Sequence, residues 1–341
     1  MRSPNVAVVG ATGLVGQEMV RVLEQRSFPV NTMHLFASDR SAGKRVYFKR
    51  EPVEVRELKS SAFDSIDLAL ISAGADISRQ YSPLLAKAGA VVVDNSAAFR
   101  MEPWVPLVVP EVNPGDIGHH KGIIANPNCS TIQMVVVLAP LHKVNPIKKI
   151  IVSTYQAVSG TGSAAIEELN TQARQVLDGK QASPHIYSHQ IAFNVLPEID
   201  VFLYNGYTRE EWKMVEETRK ILHAPQIAIS ATCVRVPVFV GHSEAVSVEF
   251  SYPITPEEAW EVLRHAPGVR LQDEPEISLY PNAWAAAGGD DVLVGRLRQD
   301  TALPNGLSMW VVADNLRKGA ALNAVQIAET LVERGQYERA G

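Results

Sequence analysis

Cys129 stands in the segment Asn126-Pro127-Asn128-Cys129-Ser130-Thr131, directly ahead of an apolar run from Ile132 to Leu141. Asn128 suits the N-cap of a helix opening there, and a thiol in the first turn feels the positive end of the helix dipole. That field favours the thiolate at neutral pH, which makes Cys129 a candidate nucleophile. Cys233 lies inside a β-like apolar run and reads as inert core. Two cysteines cannot build a disulfide framework, and neither has a zinc-ligand spacing. His119 and His120 are adjacent, so on any regular element they point apart, and no structural metal is expected.

Gly10-Ala11-Thr12-Gly13-Leu14-Val15-Gly16 follows a strand-like run, Asn5 to Val9, and precedes an amphipathic stretch, Gln17 to Gln25. Strand, glycine-rich turn and helix in that order place backbone N–H groups at a helix N-terminus, where a pyrophosphate is bound. The spacing is G-x-x-G-x-x-G, with Thr12 where the common dinucleotide fingerprint has glycine; its hydroxyl adds a donor. Gly10, Thr12, Gly13, Leu14 and Val15 are therefore the expected cofactor contacts. At the end of the second strand, an acid suits the ribose 2′-OH of NAD and arginine suits the 2′-phosphate of NADP. Both are present, as Asp39 and Arg40, but the flanking hydroxyls of Ser38 and Ser41 beside Arg40 match a phosphate better than a carboxylate does. NADP is the expected cofactor.

The elements that must position these groups fall into two textures. Met33 to Ala37, Ile66 to Ile71 and Ala90 to Val93 read as buried strands, with a helical segment near Ile77 to Lys87, and this alternation implies a Rossmann-like, doubly wound parallel sheet. After Pro127 the runs Lys149 to Tyr155, Ile227 to Val236, Glu244 to Tyr252, Asp291 to Arg298 and Leu307 to Ala313 carry interspersed polar positions, which suits a second α+β domain on a mixed sheet. Thr255, Pro256 and Glu258 spell a capping box for a helix to His265. Arg317 to Arg334 is a helical pattern closed by Gly335, placed to pack back on the first domain. The expected domains are thus 1–127, completed by a C-terminal helix in 316–341, and 128–315. A chain of 341 residues, 46% hydrophobic, suits two domains with a large core. The longest apolar stretch, Met134 to Leu141, is far short of the ~20 residues that span a bilayer, and nothing at the N-terminus reads as a signal peptide, so a cytoplasmic address is expected. A net charge of -5 disfavours a non-specific nucleic-acid or membrane surface and points to a small-molecule partner.

Read in order, G-A-T-G-L-V-G, D-N-S-A-A-F-R, N-P-N-C-S-T, Tyr155-Gln156-Ala157-Val158-Ser159-Gly160, R-V-P-V-x-x-G-H and D-N-L-R-K-G-A-A-L-N-A resemble the aspartate-β-semialdehyde dehydrogenases over essentially the whole chain. The resemblance implies reductive dephosphorylation of L-aspartyl-4-phosphate to L-aspartate-4-semialdehyde with NADP, on the diaminopimelate and lysine, methionine and threonine routes, by a homodimer. It implies that Cys129 is the acyl-thioester nucleophile, Gln156 orients the substrate carbonyl and His242 is the acid/base. Arg235 takes the place of the α-carboxylate clamp, and Glu210 that of the partner of the substrate ammonium, with the adjacent Glu211 as the alternative carboxylate. Lys213 and Arg100, helped by Asn128, match phosphate ligands, while Ser159, Gly160 and Asn315 match contacts of the nicotinamide half. Two other readings are weighed. N-acetyl-γ-glutamyl-phosphate reductase shares the chemistry but has a cysteine motif and histidine surroundings less like these. A nucleotide-sensing regulator without catalysis is disfavoured by the intact Cys129, Gln156 and His242.

Overall fold

The strand β1 (Asn5–Val9) is buried at four successive residues and shows no polar face, as a parallel strand covered by helices on both sides requires. A computed structural model describes residues 2–337, which cluster into two units, 2–128 with 320–337, and Cys129–Gly319. In the first unit β1 is followed by α1 (Leu14–Gln25), β2 (Thr32–Ala37), β3 (Arg45–Phe48), β4 (Glu51–Glu57), β5 (Leu68–Ile71), α2 (Ala75–Lys87), β6 (Val91–Asp94) and β7 (Ile123–Ala125). Their order across the sheet is β3-β4-β2-β1-β5-β6-β7, parallel except for the antiparallel β3–β4 pair at the edge. This is the expected doubly wound sheet. The β3–β4 pair and the short β7 are additions that periodicity did not reveal: β4 buries a single residue of seven, so its hydrophobic signal is weak.

The second unit opens with α3 (Cys129–Val144) and continues through β8 (Ile147–Gln156), α4 (Ser163–Leu177), α5 (Arg209–Ile221), β9 (Ala228–Arg235), β10 (His242–Phe250), α6 (Pro256–Arg264), β11 (Val269–Leu271), α7 (Ala283–Ala286), β12 (Val292–Gln299) and β13 (Gly306–Ala313). The sheet order is β11-β12-β13-β10-β8-β9. It is mixed: β8–β9 and β11–β12 are parallel, whereas β10 is antiparallel to both its neighbours. β10 begins at His242, two residues earlier than the sequence pattern places it. In α6 Thr255 Oγ1 accepts from the N–H of Glu258, and Glu258 Oε2 accepts from that of Thr255, closing the capping box.

The C-terminal segment is not one helix. A five-residue π-helical stretch, Arg317–Ala321, leads into α8 (Leu322–Glu333). Val325, Ala328 and Leu331 of α8 enter the same apolar cluster as Met19, Val22 and Leu23 of α1, and Arg26 Nε meets Glu329 Oε1 at 2.7 Å. Gly335, at φ +65°, ends the helix in the left-handed conformation that glycine adopts without strain. The part of the expected terminal helix in 338–341 lies outside the described residues.

Packing is close at the first βα turn. A Cβ on Gly16 would lie 2.1 Å from the backbone oxygen of Gly10, which only backbone movement could relieve. We expect Gly16→Ala to cost about 1–3 kcal/mol, as overpacking does. Thr255→Ala, which removes one cap hydrogen bond, should cost ~1 kcal/mol. Thermal melts of both variants should rank them in that order, and a Gly16→Ala protein melting like the parent would contradict the close approach.

Candidate active site

In the first unit the glycine-rich turn forms the mouth of a cavity of about 410 Å³ between the ends of β1, β2 and β5. Gly10 has φ +85°, and a Cβ there would sit 2.2 Å from the Ser72 carbonyl oxygen. Gly13 is the N-cap of α1 with no side-chain cap, which leaves the first-turn amides, beginning with Leu14 and Val15, for an external acceptor. Glycine's lack of a side chain therefore makes a cradle that a dinucleotide fits. Thr12, Ser38 and Asp39 line the cavity. Thr12 Oγ1 lies 3.4 Å from Ser41 Oγ. Arg40 is exposed on the one-turn segment Asp39–Ser41, and its N–H donates to Asp39 Oδ1 at 2.7 Å. Also in this unit, Arg100 Nη2 donates to the Asn95 carbonyl at 2.9 Å. Asn126 Nδ2 donates to Asn95 Oδ1, and Asn323 Nδ2 of α8 to Asn126 Oδ1, both at 2.7 Å. That buried amide chain ties α8 to the segment leading to Asn128, itself buried.

In the second unit the ends of three adjacent strands bring polar side chains together. The register pairs Gln156, the last residue of β8, with Arg235, the last of β9. Ser243 pairs with Tyr155, which sets His242 at the level of Gln156 on the other side of β8. Ala157, the next residue, clamps both neighbours: its N–H donates to His242 Nδ1 at 3.0 Å, and its carbonyl accepts from Arg235 Nη1 at 2.8 Å. A Cβ on Gly160 would lie 3.1 Å from Arg235 Nη1 and 3.4 Å from His242 Nε2, so these two groups share one locality. Asn315 Nδ2 donates to Ser159 Oγ at 2.9 Å, and Asn315 Oδ1 accepts from the N–H of Gly241, beside His242.

Helix α5 contributes from below β8 and β9. Glu210 Oε1 lies 3.4 Å from Gln156 Nε2, and Glu210 Oε2 accepts from Lys213 Nζ at 3.0 Å. Glu211, one residue on, is consumed by the backbone: Oε2 takes the N–H of Thr208 in a capping box and Oε1 the N–H of Cys233. Burial works against the charge of Lys213, but Glu210 and Asp200, whose Oδ2 is 3.0 Å away, outweigh it and hold the ammonium above its usual pKa. His242 is fully buried, and desolvation, helped by the Arg235 guanidinium and opposed by Glu210, lowers its pKa to about 3. Cys233 is fully buried on β9, and burial, with Glu210 next, pushes its thiol up.

Cys129 is half-buried at the first turn of α3. A Cβ on Gly319 would lie 2.8 Å from Cys129 Cβ, which explains glycine in the π-helical stretch. Three residues escaped the sequence reading. Ala157 acts through its backbone and carries no side-chain signal. Gln133, one helical turn after Cys129, donates from Nε2 to the His242 carbonyl at 3.2 Å; a polar residue in an apolar run was its signal. Glu244 is fully buried on β10, and burial pushes its carboxyl well above the usual range despite the Gln133 amide. Its signal was a carboxylate at the head of a strand-like run.

Comparison with known proteins adds an independent line. Residues 5–120 match the NAD binding domain of semialdehyde dehydrogenases, and residues 138–318 their dimerisation domain. The chain is 57% identical over 334 residues to aspartate-semialdehyde dehydrogenase of Aquifex aeolicus, spanning 97% of this chain and 98% of that one. Its fold superposes with a TM-score of 0.95 on aspartate semialdehyde dehydrogenase II of Vibrio cholerae complexed with ASA, at 48% identity over 98% of this chain and 99% of the other. The Candida albicans enzyme, solved with NADP, gives a TM-score of 0.78 at 27% identity over 97% and 99%. Likeness at this level, running through both units and nearly end to end in each protein compared, shows that the chain belongs to the aspartate-semialdehyde dehydrogenase family.

Proposed function

We propose that the protein converts L-aspartyl-4-phosphate reversibly to L-aspartate-4-semialdehyde through a thioester on Cys129, with NADP as redox partner, on the diaminopimelate and lysine, methionine and threonine routes. The observation that carries this reading is the convergence of Gln156, Arg235 and His242 at three neighbouring strand ends, with Glu210 rising to them from α5. Those groups supply what an α-amino acid with a reactive β-acyl group needs. A planar guanidinium, Arg235, grips the α-carboxylate, and the Glu210 carboxylate answers the α-ammonium, because its neighbour Glu211 is already spent on two backbone amides. Gln156 orients the carbonyl, and His242 is the acid/base. Lys213, kept charged by Glu210 and Asp200, binds phosphate together with Arg100 and Asn128.

Cys129 adds to the acyl carbon, phosphate departs with the C–O electron pair, and the thioester remains for reduction. The nicotinamide, when bound, supplies or takes up the hydride. Gly10, Thr12, Gly13, Leu14 and Val15 hold its pyrophosphate; Ser38, Arg40 and Ser41 meet the 2′-phosphate; Ser159, Gly160 and Asn315 hold the nicotinamide half. The NADP reported with the Candida albicans enzyme supports that choice of cofactor. N-acetyl-γ-glutamyl-phosphate reductase is not favoured, since an N-acylated substrate presents no ammonium to Glu210.

The assembly we propose is a homodimer through the open face of the second sheet. On β8 Ile151 and Tyr155 are 44% and 37% exposed, and the Tyr155 and Trp310 rings lie 5.3 Å apart on the same face. A cytoplasmic location goes with this reading; no helix among the described residues is long and apolar enough to cross a membrane.

Cys129→Ala should lower kcat by orders of magnitude with little change in cofactor affinity; a variant keeping about a tenth of parental kcat would exclude the thioester. Glu210→Gln should reduce kcat/KM for aspartate semialdehyde by roughly ten- to a thousandfold, as truncating one member of a buried charge pair does, and faster turnover of N-acetylglutamate semialdehyde by the parent would overturn the substrate assignment. Arg40→Ala should remove most of a preference for NADP over NAD, a few kcal/mol at most. Equal use of both cofactors by the parent protein would instead put Asp39 on the ribose.

A further inference from the structure

We infer that Gln133 of α3 and Glu244 of β10 form an amide–acid pair that positions the helix carrying Cys129 against the strand opened by His242. Both are positioning residues, acting through the nucleophile and the acid/base, and the kinetic side of the inference rests on the proposed function.

Helix α3 opens at Cys129, and Gln133 follows one turn later on the same face. Its Nε2 donates to the main-chain carbonyl of His242 at 3.2 Å. Gln133, His242 and Glu244 are all fully buried. Residues 242 and 244 of one strand project to the same side of the sheet, and the Glu244 carboxyl lies close enough to the Gln133 amide to feel it. One glutamine thus meets β10 at two places, the backbone at 242 and the side chain at 244.

Gln133 Oε1 and both carboxyl oxygens of Glu244 lack ordinary hydrogen-bond partners among the described residues. Buried polar atoms left in that state are costly. An ionised Glu244 only accepts, so it offers nothing to Gln133 Oε1. The acid form has one O–H and one carbonyl, which complement the carbonyl and N–H of an amide in a ring of two hydrogen bonds. In that ring the Glu244 hydroxyl donates to Gln133 Oε1, and one Nε2 hydrogen of Gln133 goes to the Glu244 carbonyl oxygen. The second Nε2 hydrogen remains for the His242 carbonyl. Closing the ring takes rotation about the terminal torsions, which are soft in both side chains. Burial, the largest influence on the Glu244 carboxyl, favours the same protonation state.

The consequence falls on geometry at the reacting atoms. A nucleophile works within a narrow range of approach, and a displacement of ~1 Å can cost on the order of 10²-fold in rate. The pair holds the first turns of α3 in register with the head of β10, so its loss separates chemistry from binding: kcat falls while the cofactor site, built in the other unit, is untouched.

The test combines infrared spectroscopy with kinetics. Near neutral pH the difference spectrum of the parent against Glu244→Gln should contain the carbonyl band of a protonated, hydrogen-bonded carboxylic acid, and that band should move in Gln133→Met, where the amide is gone. Glu244→Gln restores a donor and an acceptor as a second amide and should keep most of the parental kcat. Gln133→Met and Glu244→Leu should each lower kcat by about ten- to a hundredfold. The double variant should fall no further than either single one, because the two residues act as a unit. The KM for the cofactor and the rate at which iodoacetamide alkylates Cys129 should stay near parental values in all of them, since neither requires α3 and His242 in register; a general disruption of the fold would move both. Absence of the acid band, full kcat in Gln133→Met, a Glu244→Gln protein as impaired as Glu244→Leu, or alkylation falling in step with kcat would overturn the inference. Should the parent protein fail to turn over aspartate semialdehyde while the band is present and moves in Gln133→Met, the proposed function falls and the pair stands.

Discussion

Ala157 occupies the point where β8 ends, and its peptide groups hold two side chains from two other strands. Its N–H is given to His242 of β10 and its carbonyl to Arg235 of β9. Both backbone groups are buried, and a buried amide or carbonyl without a partner costs free energy comparable to the bond it lacks. The turn is fixed in its own right, since the N–H groups of Val158 and Ser159 donate to the carbonyls of Val238 and Phe239. Satisfying the main chain at this corner therefore determines where the imidazole and guanidinium sit relative to Gln156. A shift of any of the three strands would leave one of those groups unpaired.

The three carboxylates near this corner show how local partners divide one residue type into different states. Glu211 has both oxygens bonded to backbone amides and closes the N-terminus of α5. Glu210 faces the opposite requirement: its partners are the movable side chains Lys213 and Gln156, which can be exchanged for ligand groups. Glu244 is buried deepest of the three, and that burial raises its carboxyl pKa and favours the uncharged form. Consecutive residues on a helix project about 100° apart, which is enough to send one to backbone amides and the other to the side chains of Lys213 and Gln156.

In the first unit the governing constraint is distance rather than charge. Gly10 and Gly16 lie so close to neighbouring carbonyls that any side chain would force the turn open, and Gly13 leaves the head of α1 without a side-chain cap. Packing of α8 against α1, reinforced by Arg26 and Glu329, fixes the helix whose N-terminus carries those amides. The sequence pattern at residues 10–16 is thus a record of backbone proximity.

Much was legible from the sequence alone: the doubly wound sheet, the mixed second sheet, the capping box of α6 and the glycine-rich turn all rest on interactions between residues near one another in the chain, where periodicity and residue type are direct evidence. The candidate nucleophile and histidine could be named because ordered motifs carried them. What only the tertiary structure decided were relations between distant segments. The meeting of residues 156, 235 and 242 depends on strand order β10-β8-β9, which no local pattern encodes. The separate roles of Glu210 and Glu211 depend on which one reaches the N–H of Cys233, 22 residues away. Glycine at 319 follows from its contact with Cys129, and the placement of the His242 ring from a backbone amide 85 residues earlier. Each is set by hydrogen bonding or van der Waals contact between groups that meet only after the chain has folded, and an alanine amide leaves no mark on residue type.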